Sequence, residues 1–343
     1  MKKSDPSWPP SRQLLRKNMV AARGGRKDEV DVLRTAFWYA EIKARLSASS
    51  AYEIENTLEP NAFGKNKDGD PIHRNKWPKY EVGQHVPNDT LVTQVDLTLP
   101  GTKRLLNHTL WKALKTKNGV NENIDDWLRQ LAPDIQKIIF NTDRHSPGNS
   151  YRRASISRRQ LKMLERRAGI DALACLTILL RESCNQGEQA IALEIGASLY
   201  RVLLILCTTA PAGDFALELL DTYREQIFSL VRYEGRRFYL EDCDFLDAVS
   251  LLNMLLLALE DNGLIGVGWD DSVQAVCKLL DGGYGQGFNV KFAVAPLIGP
   301  DKPLTDANAK AYRDLERQKQ FRQWGKEQIF SSTREVLPPI ELW

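Results

Sequence analysis

The sequence predicts a mainly α-helical protein in two parts, a basic amino-terminal helical module followed by an antiparallel helical bundle. Three observations indicate this class. Apolar residues recur at helical spacing along much of the chain, capping signals precede several of these stretches, and the two halves carry opposite charge. The 343 residues, 43% hydrophobic and 27% charged, are typical of a globular protein with more than one domain.

The first predicted element is a basic arm over residues 1–28. Its first 27 residues contain eight Lys and Arg against a single acid, Asp5. Prolines and a Gly-Gly pair interrupt any helical periodicity, so we expect an extended or partly disordered segment that follows phosphates. The alternative is a solvated tail.

A basic helical domain is predicted over residues 29–140. Apolar residues in 30–46 form a helical stripe, and Ser50 with Glu53 predicts a capping box for a second helix at 50–58. A loop rich in Gly, Asp, Asn and Lys follows. The stretch NKWPKYEVGQHVP at 75–87 then leads into further helical patterns.

This stretch resembles the Cro/repressor-like (XRE-type) helix-turn-helix family over residues 30–97. The third helix of that family ends in a Trp, followed by Gly, Pro and a Leu-containing helix, as do Trp77, Gly83, Pro87 and Leu91. The resemblance implies helices at 30–46, 50–58, 75–82 and 88–97, with the third contacting DNA. Asn75, Lys76 and Lys79 would then face phosphates or bases, while Trp77 and Tyr80 pack inward or stack.

Two features depart from that family. Pro78 falls inside the expected recognition helix, where a proline costs about 3 kcal/mol unless it lies in the first turn. About fifteen residues, 59–74, replace the short turn between the second and third helices. Either the helix begins at Pro78, or the similarity is coincidental.

A linker is predicted at 141–150, because NTDRHSPGNS consists of turn-forming and polar residues. An acidic helical bundle is predicted over 151–301, beginning with a capping box at Ser157 and Gln160. Residues 302–343 are predicted to form an amphipathic helix and an apolar docking tail, VLPPIELW.

Charge separates along the chain. Residues 1–167 hold 31 Lys and Arg against 19 Asp and Glu, a balance of +12, whereas 168–301 hold 8 against 19, a balance of −11. Such asymmetry favours a polyanionic partner for the front half, most commonly nucleic acid. The alternative is that the two halves attract each other.

The densest basic segment is 152–167, where Arg159, Lys162 and Arg166 would share one helix face and Arg158 is offset. Such a strip neutralises phosphates without reading sequence, and its alternatives are a solvated face or a contact with another subunit. The nucleic-acid-binding residues predicted from the whole sequence are Arg12, Arg16, Lys17, Arg23, Arg26, Lys27, Arg74, Asn75, Lys76, Lys79, Tyr80, Gln84, Arg152, Arg153, Arg158, Arg159, Lys162 and Arg166.

We predict no catalytic residues, metal or cofactor. The acidic spacing at 66–70 lacks the glycine position and distal Glu of a calcium loop, and His73 and His85 have no diagnostic spacing. The five cysteines include no C-x-x-C pair. Glycines at 282–287 predict a flexible turn rather than a phosphate loop, because 276–280 reads as a helix end and 288–295 as an extended run.

The function expected from the sequence is non-catalytic nucleic-acid binding, with DNA favoured over RNA. We expect a regulator or a subunit of a nucleoprotein assembly, as in mobile-element or phage-defence systems, that forms a homo-oligomer or binds protein partners through the bundle and tail. One alternative is a protein-interaction scaffold, and another is a metal-dependent nuclease or toxin that uses His73 and His85. With neither a signal peptide nor a long apolar run, the sequence predicts a cytoplasmic protein without membrane contact.

Overall fold

The computed structural model describes residues 9–23, 25, 27–60, 63–65, 71–73, 75–115, 124–141, 152–153, 155–305, 308–331 and 337–340. The predicted mainly α class is confirmed. Within these residues the strands are short and form two-stranded antiparallel pairs, whereas the helices supply the core. The chain divides into two compact units, one with residues 1–115 and 210–222 and the other with 116–209 and 223–343.

The first unit begins with α1 and α2, and α3 to α7 follow. Their bounds are α1 Pro10–Arg23, α2 Glu29–Arg45, α3 Ala51–Leu58, α4 Trp77–Glu81, α5 Asp89–Thr98, α6 Thr102–Leu106 and α7 Thr109–Leu114. Strands β1 (Phe63–Lys65) and β2 (Pro71–His73) pair antiparallel between α3 and α4. A short 3-10 helix, Ala212–Phe215, and the start of α13 (Ala216–Gln226) complete this unit.

An aromatic core holds α2 to α6 together. Trp38 and Trp77 are fully buried and stack at 5.9 Å between ring centroids with 12° between their planes. Tyr80 meets both rings edge-on. Leucines, isoleucines and valines from α2, α3, α5 and α6 surround these rings. A helix of five to ten residues is not stable alone, so this tertiary packing holds the short helices α3 to α6 in place.

The second unit contains the remaining elements. They are α8 Ile124–Arg129, α9 Pro133–Ile139, β3 Phe140–Asn141, β4 Arg152–Arg153, α10 Arg158–Glu165, α11 Ile170–Asn185, α12 Gln189–Cys207, β5 Arg236–Tyr239, α14 Asp242–Asp261, α15 Trp269–Leu280, α16 Asn289–Ala293, β6 Leu297–Pro300 and α17 Ala309–Phe330. Helices α11 and α12 pack on each other across a short connection and form the centre of this unit, which α10 and α14 cover.

The units differ from the domains predicted by the sequence. The predicted linker, 141–150, is flanked by β3 and β4, which pair antiparallel, so both of its ends belong to the second unit. Residues 142–150 lie outside the described part. Residues 210–222, predicted as part of the acidic bundle, belong to the first unit, where Phe215 packs against Phe37 at 5.5 Å.

Helix α12 is the one helix in the described ranges that is long and apolar enough to cross a membrane. Of the apolar stretch within Gln189–Cys207, 67% is buried inside the protein. Neighbouring helices therefore cover most of its apolar surface, as they do for the central helix of a bundle.

Candidate nucleic-acid interface

The described part of the predicted basic arm is mostly a helix, α1. Leu15, Met19 and Ala22 recur at helical spacing, are buried, and fix α1 against α2. The prediction of an extended segment is therefore wrong for residues 10–23, because an apolar stripe that the prolines obscured stabilises the helix. Residues 1–8 and Arg26 lie outside the described part.

Carboxylates of the first unit neutralise the arginines of α1. The Arg12 Nη2 atom lies 3.3 Å from Glu218 Oε2, and the Arg16 Nη2 atom lies 2.6 Å from Asp221 Oδ2. Only 1% of the Glu218 side chain is exposed. Arg23 pairs with the buried Glu29. These arginines hold α1 in place, which differs from their predicted role as phosphate contacts.

Lysines of the same region are more accessible. Lys17 is exposed on α1, and the exposed Lys27 donates to the main-chain oxygen of Gln84 at 2.5 Å. Asn18 donates to the main-chain oxygen of Val82 at 2.8 Å. These bonds connect the end of α1 to the segment 75–87, where the sequence placed the base contacts.

The proline in that segment lies in the first turn of α4, which begins at Trp77. Pro78 therefore occupies a first-turn position, which a proline tolerates. The helix is short because Gly83 follows with φ +61 and the chain turns away. A Cβ at Gly83 would lie 2.4 Å from Val32 O, so only glycine allows the turn to approach α2 this closely.

Two of the predicted base contacts are held inside the protein. Lys76 Nζ lies 2.6 Å from Glu59 Oε1, and Trp77 Nε1 donates to Glu59 Oε2 at 2.9 Å. Tyr80 is 6% exposed and belongs to the aromatic core, and burial beside Glu59 and Glu55 raises the pKa of its phenol. Tyr80 therefore packs in the core, whereas the partly exposed Lys76 is held by its ion pair with Glu59.

The outer side of α4 presents Asn75, Lys79 and Gln84 to solvent. Asn75 adopts φ +46, a left-handed conformation that Asn tolerates better than most residues. Arg74 lies outside the described residues. The exposed candidates of the resemblance are therefore one cation and two amides around a helix of five residues.

The second basic element, α10, forms as predicted from its capping box. The Ser157 hydroxyl accepts from Gln160 N, and the Gln160 side chain accepts from Ser157 N. Leu161 and Leu164 are buried, so the opposite side of the helix faces solvent.

Four arginines cover the solvent side of α10 and the turn after it. We call this set the α10 surface: Arg158, Arg159, Arg166 and Arg167. Arg158 is 85% exposed and pairs with Glu194 at 2.6 Å, and Arg167 is 59% exposed and lies 3.7 Å from Asp134. Hydrogen bonding to Glu194 raises the pKa of Arg158 and lowers that of Glu194. Both partner carboxylates are themselves well exposed.

Lys162 has a different environment although it lies between these arginines in sequence. Its Nζ atom lies 2.9 Å from Asp281 Oδ1 and 3.3 Å from the buried Glu165. Arg201 reaches the same two carboxylates, at 3.0 Å from Asp281 and 3.2 Å from Glu165. Burial alone would raise the pKa of Asp281, but the hydrogen bonds and charges of Lys162 and Arg201 outweigh it and lower that pKa.

Arg201 was absent from the predicted site residues. It is the single charged residue in the apolar run LYRVLLILC. A cation among apolar residues needs a partner carboxylate, so this lone charge was the signal that could have identified Arg201. Arg153, a predicted contact, pairs with Glu182 and with Asp125 and therefore ties β4 to neighbouring helices. The side chain of Arg152 lies outside the described part.

No group of three or more His, Cys, Asp and Glu in the described ranges is arranged to hold a metal ion. His85 is exposed beside α4. His108 is buried and accepts from Leu110 N at the start of α7, which gives it a capping role. The side chain of His73 and the acidic segment 66–70 lie outside the described part.

No protein-family model, curated protein or solved structure matches the chain. The fold and the site define it as a mainly α-helical protein with an exposed arginine cluster on α10, and its function is argued from that site.

Proposed function

We propose that this protein binds nucleic acid without catalysis and holds phosphates on the α10 surface. The observation that carries the proposal is the exposure of four arginines within ten residues of chain. A guanidinium forms paired, charge-assisted hydrogen bonds with phosphate oxygens, and several neighbouring guanidiniums bind successive phosphates of one strand.

Exposure of the partner carboxylate separates Arg158 and Arg167 from Arg12 and Arg16. Ion pairs between exposed groups contribute little stability, because water and salt screen both charges. Glu194 and Asp134 can therefore release Arg158 and Arg167 to a phosphate at low cost. Releasing Arg12 and Arg16 would instead remove both of these cations from the buried, charged Glu218. The front half thus contributes fewer phosphate contacts than its charge balance suggests.

DNA is the favoured polymer because the helices from α2 to α5 follow the order that the helix-turn-helix resemblance implies. In this proposal the exposed Lys17, Lys79, Asn75 and Gln84 form a second, smaller contact surface. The protein would act as a regulator or as a subunit of a nucleoprotein assembly.

The test is a salt titration of binding to fluorescent DNA and RNA of equal length, measured by anisotropy. The variant is Arg158→Glu/Arg159→Glu, whose new acids lie at the amino end of α10 and interact favourably with the helix dipole, so folding is preserved. We expect the variant to bind more weakly and with a shallower salt dependence, by about 0.9 in slope for each phosphate that it no longer neutralises.

The matched control is Arg313→Glu/Arg317→Glu on α17, which makes the same change in net charge at two exposed positions. If both variants lose affinity equally, net charge rather than the α10 surface is responsible. Binding to neither polymer at low salt, or binding that ignores salt, would remove the proposal.

The second candidate function is assembly through a protein contact. Leu257, Leu264 and Val267 at the end of α14 and in the following loop are 59%, 61% and 89% exposed. Exposed apolar side chains close together are typical of interaction sites. A second copy of the chain is the occupant proposed for this surface. Leu257→Asp/Val267→Asp should then lower the mass measured by light scattering, and a monomeric parent protein excludes this candidate.

A further inference from the structure

A groove of about 540 Å³ lies beside the carboxyl end of α10 in the second unit. Its walls come from Arg166, the loop at 264–266, helix α15 and two residues of the following turn, Asp281 and Tyr284. This volume lies within the range of small-molecule sites, which is about 300–1,000 Å³. Two cations, two carboxylates, an amide and an aromatic ring line it, so its chemistry is polar with one flat apolar surface.

The groove carries cations that no carboxylate of the described residues neutralises. Arg166 is exposed at the end of α10, and Lys278 is exposed on α15. The nearest acid along α15, Asp281, is already held by Lys162 at 2.9 Å and Arg201 at 3.0 Å. Its negative charge is therefore compensated, and the two cations of the groove favour an anionic ligand group.

The aromatic wall is Tyr284, which adopts φ +54. A non-glycine residue rarely takes this left-handed conformation, and such strain is common at ligand sites. The Tyr284 ring centroid lies 4.1 Å from Lys278 Nζ. A Cβ at Gly283 would lie 2.4 Å from Lys278 Cγ, so the glycine lets the turn approach α15 and brings the ring to the groove.

Polar groups complete the groove. The Gln274 amide donates to Arg166 O at 3.1 Å, which leaves its oxygen as an acceptor toward a ligand. Asp271 is exposed in the first turn of α15 and adds a carboxylate to the lining. Leu264 and Ile265 form an aliphatic side.

We propose that this groove binds a nucleoside monophosphate group. The phosphate lies between Arg166 and Lys278, the base stacks on Tyr284, and base or sugar hydrogens are donated to Asp271 and Gln274. When the phosphate binds, Lys278 moves from the face of the Tyr284 ring to the phosphate, and the base takes its place on the ring. The cation–π contact is thus replaced by an ion pair and by base stacking. The group comes either from a free nucleotide or from the phosphorylated end of a nucleic-acid strand.

This site shares Arg166 with the α10 surface but is tested separately from it, because free nucleotides bind without any polymer. Calorimetric titration of the full chain with AMP, CMP, GMP, UMP and inorganic phosphate is the first measurement. At least one nucleotide should bind at one site per chain, about tenfold more tightly than phosphate, because its base stacks on Tyr284.

Three variants identify the groove. Lys278→Ala and Tyr284→Gly should each weaken nucleotide binding about tenfold, whereas Tyr284→Phe keeps the ring and the affinity. Tyr284→Gly also relieves the left-handed backbone, so its thermal midpoint should not fall, and weaker binding cannot be attributed to unfolding. The matched control is Lys291→Ala, because Lys291 covers the Phe288 ring at 5.6 Å and neither residue lines the groove.

A second comparison identifies the source of the ligand. Oligonucleotides with a 5′-phosphate or a 5′-hydroxyl group distinguish a strand end from a free nucleotide, and either source supports the site. Arg158→Glu/Arg159→Glu should leave nucleotide binding intact even where it abolishes polymer binding. The site is overturned if no nucleotide and no phosphorylated strand binds at about 1 mM, if phosphate binds as tightly as every nucleotide, or if Lys278→Ala and Tyr284→Gly bind like the parent.

Discussion

Replacing Gly83 by alanine should destabilise the first unit more than the same replacement at Gly101. Two terms contribute. The left-handed backbone at φ +61 costs alanine about 1 kcal/mol, and the new Cβ would lie 2.4 Å from Val32 O and 2.6 Å from Val32 Cγ1. Both atoms belong to a buried helix, so relieving the overlap requires a backbone shift that costs about 1–3 kcal/mol. We expect a total of about 3 kcal/mol.

The control for this prediction is Gly101→Ala in the same unit. Gly101 has φ +92, and a Cβ there meets no atom within 4 Å, so the substitution carries a backbone cost without the overlap. Urea unfolding followed by tryptophan fluorescence gives both free energies, and hydrogen exchange of α2 and α4 locates the change. If Gly83→Ala and Gly101→Ala lowered the free energy of unfolding equally, the turn at Gly83 would not be packed against Val32. The packing argument for the segment 75–87 would then fail.

The remaining predictions concern buried charge and burial of phenols. Glu218→Gln should cost about 2 kcal/mol in unfolding free energy, because Arg12 and Arg16 lose a buried partner while remaining partly exposed to water. The exposed Glu194→Gln should change unfolding little, and equal effects would contradict the distinction between the two sets of arginines. Burial raises the pKa of Tyr200 and Tyr223 far above the ordinary value of about 10. The unfolded chain therefore releases these protons first, so their contribution to stability is complete below about pH 10 and is lost as the pH rises further. Urea midpoints at pH 8 and 11 should differ less in Tyr200→Phe than in the parent, and an identical difference would refute the assignment.

Local signals in the sequence were sufficient to predict most helices of the first hundred residues and the start of α10. The N-cap at Ser50, the capping box at Ser157 and the apolar stripe of α2 depend on neighbours within one or two turns, which the sequence displays directly. At the first of these the Glu53 carboxylate accepts from Ser49 N instead of Ser50 N, so the predicted capping box is not reciprocal. The helix at 10–23 was not predicted, because three prolines near its start obscure the periodicity of Leu15, Met19 and Ala22. The turn at 282–287 was predicted and is confirmed, whereas 288–295 contains helix α16 instead of an extended run.

The candidate site depended on information that the sequence does not contain. A charge count assigns the same weight to Arg16 and to Arg159, although one lies against Asp221 and the other is exposed. Residues 210–222 return to the first unit from a distant part of the chain, and they bring Glu218 and Asp221 to α1. Nothing in the local pattern near Arg12 or Arg16 indicates these partners, because their separation in sequence exceeds two hundred residues.

Burial of the partner carboxylate is what decides which cations remain available to a phosphate. A phosphodiester must displace the carboxylate that already holds an arginine, and the displaced carboxylate must then be solvated. Glu194 and Asp134 are solvated already, so this exchange costs little on the α10 surface, whereas Glu218, Glu29 and Glu182 would be left charged in the interior. Buried pairs such as Arg12 with Glu218 and Arg153 with Glu182 therefore fix the fold. Under the proposed function, the exposed arginines of α10 are the ones that bind phosphate.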